Sequence, residues 1–317
     1  MNKHNLFIFN FKTNGTFFLK LFILLGMMVL AGLHISPQYL GNYQASLIDK
    51  VNRLEEISSP KIVLIGNSNL AFGIESEQIE KAFNMPVVNM GLHGGLGNAF
   101  HEGMVKFNIS KGDIYIVCHT TFLDDDQIDR KDLAWITIED HFNLWKILRA
   151  KDYIPMLKAY PIYLKKCLAL WASGTGNQLD EGIYSRSSFN CYGDIKLETP
   201  GLEYVFKPED VTVPQISDNT CERLNELNKY LSERGATMLI AGYPIAKNQF
   251  TPEPELYSNF QTELAQKLDS PIISKYTDYI YDQKYFYDST YHLNDEGKKL
   301  RTEQLINDLK EFLAGME

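Results

Sequence analysis

The chain has 317 residues, of which 44% are hydrophobic and 22% are charged, and its formal net charge is −9. This length and composition allow one large domain or two small ones and exclude collagen-like, mucin-like and wholly disordered chains. The acidic balance provides no overall attraction to nucleic acid, so nucleic acid is not expected as a partner.

The N-terminal segment carries an apolar run over residues 17–35, close to the roughly 20 residues that a membrane-spanning helix needs. The segment before this run contains lysines and no acidic residue, so the positive-inside rule places residues 1–16 in the cytoplasm. We therefore predict a signal anchor in the lipid bilayer, with the rest of the chain periplasmic or extracellular. A cleaved signal peptide is the alternative, since Ala31-Gly32 offers small residues, although the run is long and no clear cleavage motif follows.

Residues 36–60 predict a connecting helix. Leu47, Val51 and Leu54 recur at helical spacing, and a Ser-Ser-Pro sequence then breaks the pattern.

After Pro60, short apolar segments alternate with amphipathic ones. The predicted strands are 61–67, 86–91, 113–119, 237–244 and 271–276, and the predicted helices are 74–83, with Ser76 as its cap, 98–107, 219–234, 255–268 and 295–313. Such alternation is typical of a parallel sheet covered on both faces. We predict an α/β fold over residues 61–317, with a doubly wound, mainly parallel sheet flanked by helices.

Residues 125–215 separate the third and fourth predicted strands by more than an ordinary crossover requires, so we predict a largely helical insertion. Its first half is rich in Trp, Tyr and Leu with interspersed Lys and Arg. Helices packed on the core are one interpretation, and a lid or a face for the membrane or a membrane partner is the other.

The four cysteines form no CxxC pair and no Cys/His ligand spacing, so no metal site is predicted. Cys118 lies in an apolar run and is expected to be buried. Cys191 and Cys221 lie beside turn-rich segments and are the pair we expect to form a disulfide in an oxidising compartment.

Polar residues follow the predicted strands, where open α/β sheets bind ligands. Ser68 follows the first strand, a glycine-rich loop follows the second, and Asp288 and His292 precede the last helix. A serine at a strand-to-helix turn is exposed, an imidazole can remove its proton, and nearby backbone N–H groups can bind an oxyanion. These residues therefore favour nucleophilic acyl transfer.

The same residues resemble the SGNH (GDSL-like) hydrolases, which have a flavodoxin-like sheet. Gly66-Asn67-Ser68 is similar to the block that carries the family's nucleophile, and the sequence VNMGLHGG (88–95) is similar to the second block, with Asn89 and with Gly94 or Gly91 at the oxyanion hole. The last block carries an Asp and a His before Leu-Asn and a Gly, as Asp288, His292, Leu293, Asn294 and Gly297 do here. The resemblance covers residues 61–120 and 219–313 and is greatest to the membrane-anchored branch found beside machinery that acylates surface polysaccharides or teichoic acids.

Two features depart from that family. Three residues, instead of two, separate Asp288 from His292. The third block, which reads Gly-x-Asn-Asp in the family, is replaced by Cys118-His119-Thr120-Thr121, so His119 or Thr120 would have to take the place of the oxyanion-hole asparagine.

The resemblance implies an anchored extracytoplasmic serine esterase or O-acyltransferase acting on acyl esters, in particular acetyl esters, of a cell-surface glycan. Ser68 would be the nucleophile, His292 the base and Asp288 its orienting carboxylate, with no cofactor. The alternative is a catalytically inactive relative that binds glycan or a membrane-bound acyltransferase partner, which the missing third-block asparagine favours.

Overall fold

The computed structural model describes residues 11–58, 60–124, 126–139, 141–177, 182–197, 204–207 and 211–315. Most of the predicted cytoplasmic segment and parts of the insertion lie outside these residues. The helices are α1 (Phe11–Ile35), α2 (Leu47–Glu56), α3 (Ser68–Ala71), α4 (Ser76–Phe83), α5 (Asn98–Gly103), α6 (Lys131–Ile138), α7 (Tyr153–Ser173), α8 (Asp218–Ser232), α9 (Pro254–Lys267) and α10 (Asp295–Ala314). The strands are β1 (Ile62–Ile65), β2 (Val87–Asn89), β3 (Ile114–Val117), β4 (Thr237–Ile240), β5 (Ile245–Lys247) and β6 (Ile280–Asp282).

The main sheet has four parallel strands in the order β2-β1-β3-β4. This arrangement confirms the predicted α/β class with a parallel sheet flanked by helices. The four strands are short and mostly apolar, as parallel strands buried on both faces are expected to be, with Asn89 in β2 and Thr237 in β4 as polar residues.

The sequence prediction was wrong at the fifth strand. Residues 271–276 contribute only an isolated bridge between Ile240 and Ile272, because Pro271 has no N–H to donate and a 3-10 turn begins at Tyr276. A pair that was not predicted, β5 and β6, forms a separate two-stranded parallel sheet.

Alternate residues of the main sheet enter two different cores. Ile62 and Leu64 of β1 pack on the side of α10, with Leu305 and Leu309. The side chains of Val63 and Ile65 enter the larger core on the other face, together with residues of α2, α8 and α9. Both faces are therefore covered, and the strand ends remain as the edge where loops meet.

The helix α1 includes one stretch, Gly15–Ile35, that is long and apolar enough to cross a membrane, with a mean hydropathy of 2.2. Only 6% of its most apolar window is buried against the rest of the protein. The predicted run 17–35 lies within this stretch.

The insertion contains α6, α7 and several 3-10 turns, and its later part is bound to the sheet through Asp194. The carboxylate of Asp194 accepts hydrogen bonds from Ser76 Oγ at 2.6 Å and from Asn89 Nδ2 at 2.8 Å. Ser76 was predicted to cap α4, but Glu75 occupies the cap position and Ser76 binds Asp194 instead. The insertion is thus joined to the main domain by buried polar contacts.

The expected disulfide is not formed, and all four cysteines are free. Cys191 is exposed in a turn of the insertion, whereas Cys221 is buried in α8. A thiol buried on a core helix has no partner in an exposed turn unless the backbone moves.

His101 in α5 gives a prediction about acid stability, because burial lowers its pKa to about 3. The unfolded chain, with a histidine pKa of about 6.5, takes up a proton that the folded chain excludes. We therefore expect the free energy of unfolding to fall as the pH falls from about 6.5 to 3, by about 1.4 kcal/mol per pH unit from this residue. Denaturant titrations of the full chain in detergent at several pH values measure this slope.

The matched comparison is His101→Leu against His141→Leu, since His141 is only partly buried. In His101→Leu, the free energy of unfolding should fall less steeply as the pH is lowered. In His141→Leu, it should fall as steeply as in the unmodified chain. If the free energy of unfolding of His101→Leu had the same pH dependence as that of the unmodified chain, burial of a neutral His101 would not be the cause of the acid instability.

Candidate active site

Ser68, His292 and Asp288 lie in one continuous hydrogen-bonded array. Ser68 Oγ is 2.9 Å from His292 Nε2, and His292 Nδ1 is 2.7 Å from Asp288 Oδ1. The imidazole is largely buried, and the Asp288 carboxylate keeps only a small exposed fraction. The three residues that the sequence singled out, from two distant parts of the chain, therefore meet in space.

The position of Ser68 follows from the turn after β1. Gly66 passes so close to β3 that a Cβ atom there would lie 2.9 Å from the carbonyl oxygen of Cys118. Asn67 then caps α3, because its side-chain oxygen accepts a hydrogen bond from Asn69 N at 2.9 Å. Ser68 is consequently the first residue of a short helix at the carboxyl end of the sheet.

The position of His292 follows from the loop before α10. Ser289 Oγ accepts a hydrogen bond from His292 N at 3.2 Å, and Asn294 caps α10 by accepting one from Gly297 N at 3.0 Å. The intervening turn brings Asp288 to the imidazole even though three residues separate them. The wider spacing therefore still allows the Asp–His contact.

The chemistry of the array is set by Asp288. Burial raises the pKa of Asp288, but hydrogen bonds donated by His292 and Tyr184 outweigh it and hold the pKa below its usual value. The ionised carboxylate only accepts hydrogen bonds, so His292 must carry its proton on Nδ1. This tautomer leaves the Nε2 lone pair free to accept the proton of Ser68.

Two aromatic residues that the sequence analysis missed complete the surroundings of His292. Phe72 stacks on the imidazole, with ring centroids 4.0 Å apart and planes 8° from parallel. Tyr184, from the insertion, donates its hydroxyl to Asp288 Oδ2 at 2.6 Å and lies 3.4 Å from His292 Nδ1. Partial burial and the adjacent carboxylate raise the pKa of Tyr184, which is 46% exposed and remains a donor.

Tyr184→Phe should lower kcat for ester hydrolysis by about 10–100-fold, because a hydrogen bond to a charged group contributes about 1.5–3 kcal/mol. Loss of this donor also raises the pKa of Asp288. As the pH is lowered, the activity of the variant should therefore begin to fall at a higher pH than that of the unmodified chain. The kcat of the variant as a function of pH, measured on the purified full chain, tests both effects.

The matched control is Tyr192→Phe, which removes a tyrosine hydroxyl bound to Glu80 at 3.3 Å and outside the array. This control should retain the kcat of the unmodified chain. Equal kcat values for the two variants would show that Tyr184 does not position Asp288.

A buried arginine joins the Ser68 turn to the helix that follows His292. Arg301 of α10 is fully buried and donates to the backbone oxygen of Asn69 at 2.6 Å and to its side-chain oxygen at 2.7 Å. Asn69 Nδ2 in turn donates to the carbonyl of Cys118 at 3.0 Å. These contacts fix the turn that carries Ser68 relative to both β3 and α10.

Gly94 and Thr120 both lie beside Asn67. A Cβ atom on Gly94 would be 3.7 Å from Asn67 Cβ, and a bridge between Asn67 and Leu92 aligns the two loops. Thr120 Oγ accepts a hydrogen bond from Asn67 Nδ2 at 2.8 Å, which leaves its own hydroxyl hydrogen available to donate. Because Asn67 directly precedes Ser68, these two residues are candidates for oxyanion donors besides Ser68 itself.

The other predicted oxyanion residues have different contacts. The side chain of Asn89 is fully buried and donates to Leu70 O and Asp194, and it accepts the N–H of Gly91 at 2.9 Å. His119 is also fully buried, with Nε2 3.0 Å from Glu102. The buried contacts of Asn89, Gly91 and His119 therefore hold the loops in position. The side-chain amide of Asn89 and the backbone N–H of Gly91 already donate to protein acceptors, so neither can donate to a substrate.

Comparisons of the chain with protein-family models, with curated proteins and with solved structures each return no match. Among the residues that the structure describes, no group of three or more His, Cys, Asp or Glu side chains is arranged to hold a metal ion.

Proposed function

We propose that the chain is a membrane-anchored, extracytoplasmic serine esterase or O-acyltransferase that acts on acyl esters, in particular acetyl esters, of a cell-surface glycan. The observation that carries this proposal is the array Ser68–His292–Asp288, with distances of 2.9 Å and 2.7 Å. A serine whose proton can pass to an oriented neutral imidazole is the arrangement that acyl transfer requires.

In the proposed reaction, Ser68 Oγ attacks the acyl carbonyl carbon while His292 Nε2 takes the serine proton. The tetrahedral intermediate then collapses, His292 returns that proton to the departing alcohol oxygen, and the acyl group remains on Ser68 as an ester. Water or a sugar hydroxyl next attacks this ester while His292 Nε2 takes its proton. The acid or the new ester leaves, and Ser68 recovers its proton.

The negative oxygen of each intermediate needs hydrogen-bond donors. We propose the backbone N–H groups of Ser68 and Gly94, each at the start of a helical turn where an N–H lacks an intrahelical partner. The hydroxyl of Thr120 is the third proposed donor and takes the place of the asparagine amide that the SGNH resemblance would supply.

The proposed location follows from α1. A helix of this length and hydropathy fits a bilayer, and the lysine-rich, acid-free N-terminal segment favours a cytoplasmic N-terminus. The catalytic domain would then work outside the cytoplasm, where acylated surface glycans are found. We further propose that its sheet is of the doubly wound, SGNH-like kind.

The test uses the purified full chain in detergent micelles. Incubation with a fluorophosphonate probe should label the protein, and peptide mass spectrometry should place the label on Ser68. The same preparation should release acetate from a para-nitrophenyl ester. Mass spectrometry of an added oligosaccharide acceptor then distinguishes transfer, which adds an acetyl group, from hydrolysis. A folded chain that neither labels, hydrolyses nor transfers would contradict the proposal.

A further inference from the structure

The long insertion helix α7 presents an apolar face to the outside of the molecule. Four of its side chains are between 57% and 69% exposed, namely Ile154, Leu157, Ile162 and Trp171, and Leu168 is 41% exposed. Transferring such side chains from water into an apolar environment is favourable. So many exposed apolar side chains on one helix are typical of an interaction site.

This face is continuous with the contact between α7 and α1. Leu157, Leu164, Leu168 and Trp171 follow one another at spacings of seven, four and three residues, so they lie on one side of the helix. Leu164 on that side packs against α1, where a Cβ atom on Gly32 would lie 3.2 Å from Leu164 Cδ2 and 3.1 Å from Tyr160 Oη.

The contact also fixes the depth of α7. Gly32 lies three residues before the end of the apolar stretch Gly15–Ile35, which is about 4.5 Å along the helix axis. Amphipathic helices that lie in a membrane interface are buried about 5–10 Å into the boundary between headgroups and acyl chains. The part of α7 around Tyr160 and Leu164, which touches α1 at Gly32, is at that level.

The charge of α7 suits the same environment. The helix contains three lysines and no acidic residue. Lys158 and Lys165 are exposed on the outward side, where their ammonium groups can extend to lipid phosphates while their alkyl chains cover apolar surface. Trp171 has the amphipathic ring that is enriched at the membrane interface.

We propose that α7 is an interfacial helix whose apolar face is immersed in the outer surface of the same bilayer that α1 spans, with anionic or zwitterionic lipid as its occupant. This inference rests on the membrane anchoring proposed above. With α7 as a second membrane contact, the orientation of the catalytic domain on the membrane would be fixed, whereas α1 alone would only attach it.

The test uses site-directed spin labels on the full chain in phosphatidylcholine–phosphatidylglycerol vesicles, in a Cys191→Ser background that removes the exposed thiol. Labels are introduced at Leu157→Cys and Leu168→Cys on α7. Leu25→Cys within α1 is the bilayer reference, and Leu256→Cys, exposed on α9, is the aqueous reference. Collisions with oxygen, which concentrates in lipid, are compared with collisions with a water-soluble nickel chelate.

Both α7 labels should show an oxygen-to-nickel ratio several-fold above that of the Leu256 label and below that of the Leu25 label, which lies at the middle of the apolar stretch Gly15–Ile35. A ratio equal to that of the Leu256 label, with the Leu25 label still in lipid, would overturn the inference and leave the anchor intact. A low ratio at Leu25 would instead overturn the anchor itself. Broadening of the α7 spectra that disappears on dilution with unlabelled protein would show a second copy as the occupant and would also overturn the inference.

Discussion

Replacing Ser68 with alanine is expected to lower kcat for ester hydrolysis by at least about 10⁴-fold and to abolish fluorophosphonate labelling. The reason is that the other groups of the array act through the serine oxygen, so no covalent acyl intermediate can form without it. Any residual rate comes from oxyanion donors that polarise a bound ester for attack by water. Release of para-nitrophenol by the full chain in detergent measures this loss.

Ser258→Ala is the matched control for that experiment. Ser258 is exposed on α9, where its hydroxyl only donates to the backbone oxygen of Pro254 at 3.2 Å. The control should keep the full rate and full labelling. If Ser68→Ala retained both, the nucleophile would be a different residue and the proposed mechanism would be wrong.

Asp288→Asn should lower kcat by about 10⁴-fold while preserving the shape of the site. An asparagine amide can donate to His292 Nδ1, which favours the tautomer with its proton on Nε2. That proton faces Ser68 Oγ, 2.9 Å away, so the imidazole no longer accepts the serine proton. Steady-state kinetics across the pH range should show a low kcat with a nearly unchanged KM.

The comparison for Asp288→Asn is Asp269→Asn, a change of the same kind at an exposed position after α9. The kcat of Asp269→Asn should equal that of the unmodified chain. A small effect of Asp288→Asn, equal to that of the control, would mean that the Asp–His contact at 2.7 Å contributes nothing to catalysis.

Ser68 was predictable from the local sequence because the apolar residues of β1 end at Gly66-Asn67. Parallel strands place their carboxyl ends at one edge, so Ser68 and the glycine-rich loop were expected to lie near each other. Asp288 and His292 lie just before a helix pattern, and their roles were predicted from the resemblance of that sequence block to the SGNH hydrolases.

Tyr184 and Phe72 were not predictable in this way. Tyr184 is 104 residues from its partner Asp288, in a part of the insertion that has no periodic pattern to fix its direction. Phe72 looks like any apolar residue after a helical turn, and only the fold shows that its ring stacks on His292. Contacts of this kind depend on tertiary packing and have no local signal.

The same limit explains why Asn89 and His119 were singled out for the oxyanion hole. Asn89 ends β2 and His119 follows β3, and both carry suitable donors, which is all that a sequence displays. Their side chains instead meet buried carboxylates, Asp194 and Glu102, which come from the insertion and from α5. A buried polar group must find a partner, and here distant segments provide it.

The path from α1 to the catalytic array limits the substrates that the proposed enzyme can reach. Tyr43 packs against Tyr184, with ring centroids 6.0 Å apart, and Tyr184 binds Asp288. Tyr43 is only eight positions after Ile35, the end of the apolar stretch, which is at most about 26–29 Å for a fully extended chain. With α1 in the bilayer, the array would work close to the membrane surface. Acyl groups carried near the lipid would be within its reach, whereas those in the outer parts of a thick cell wall would not.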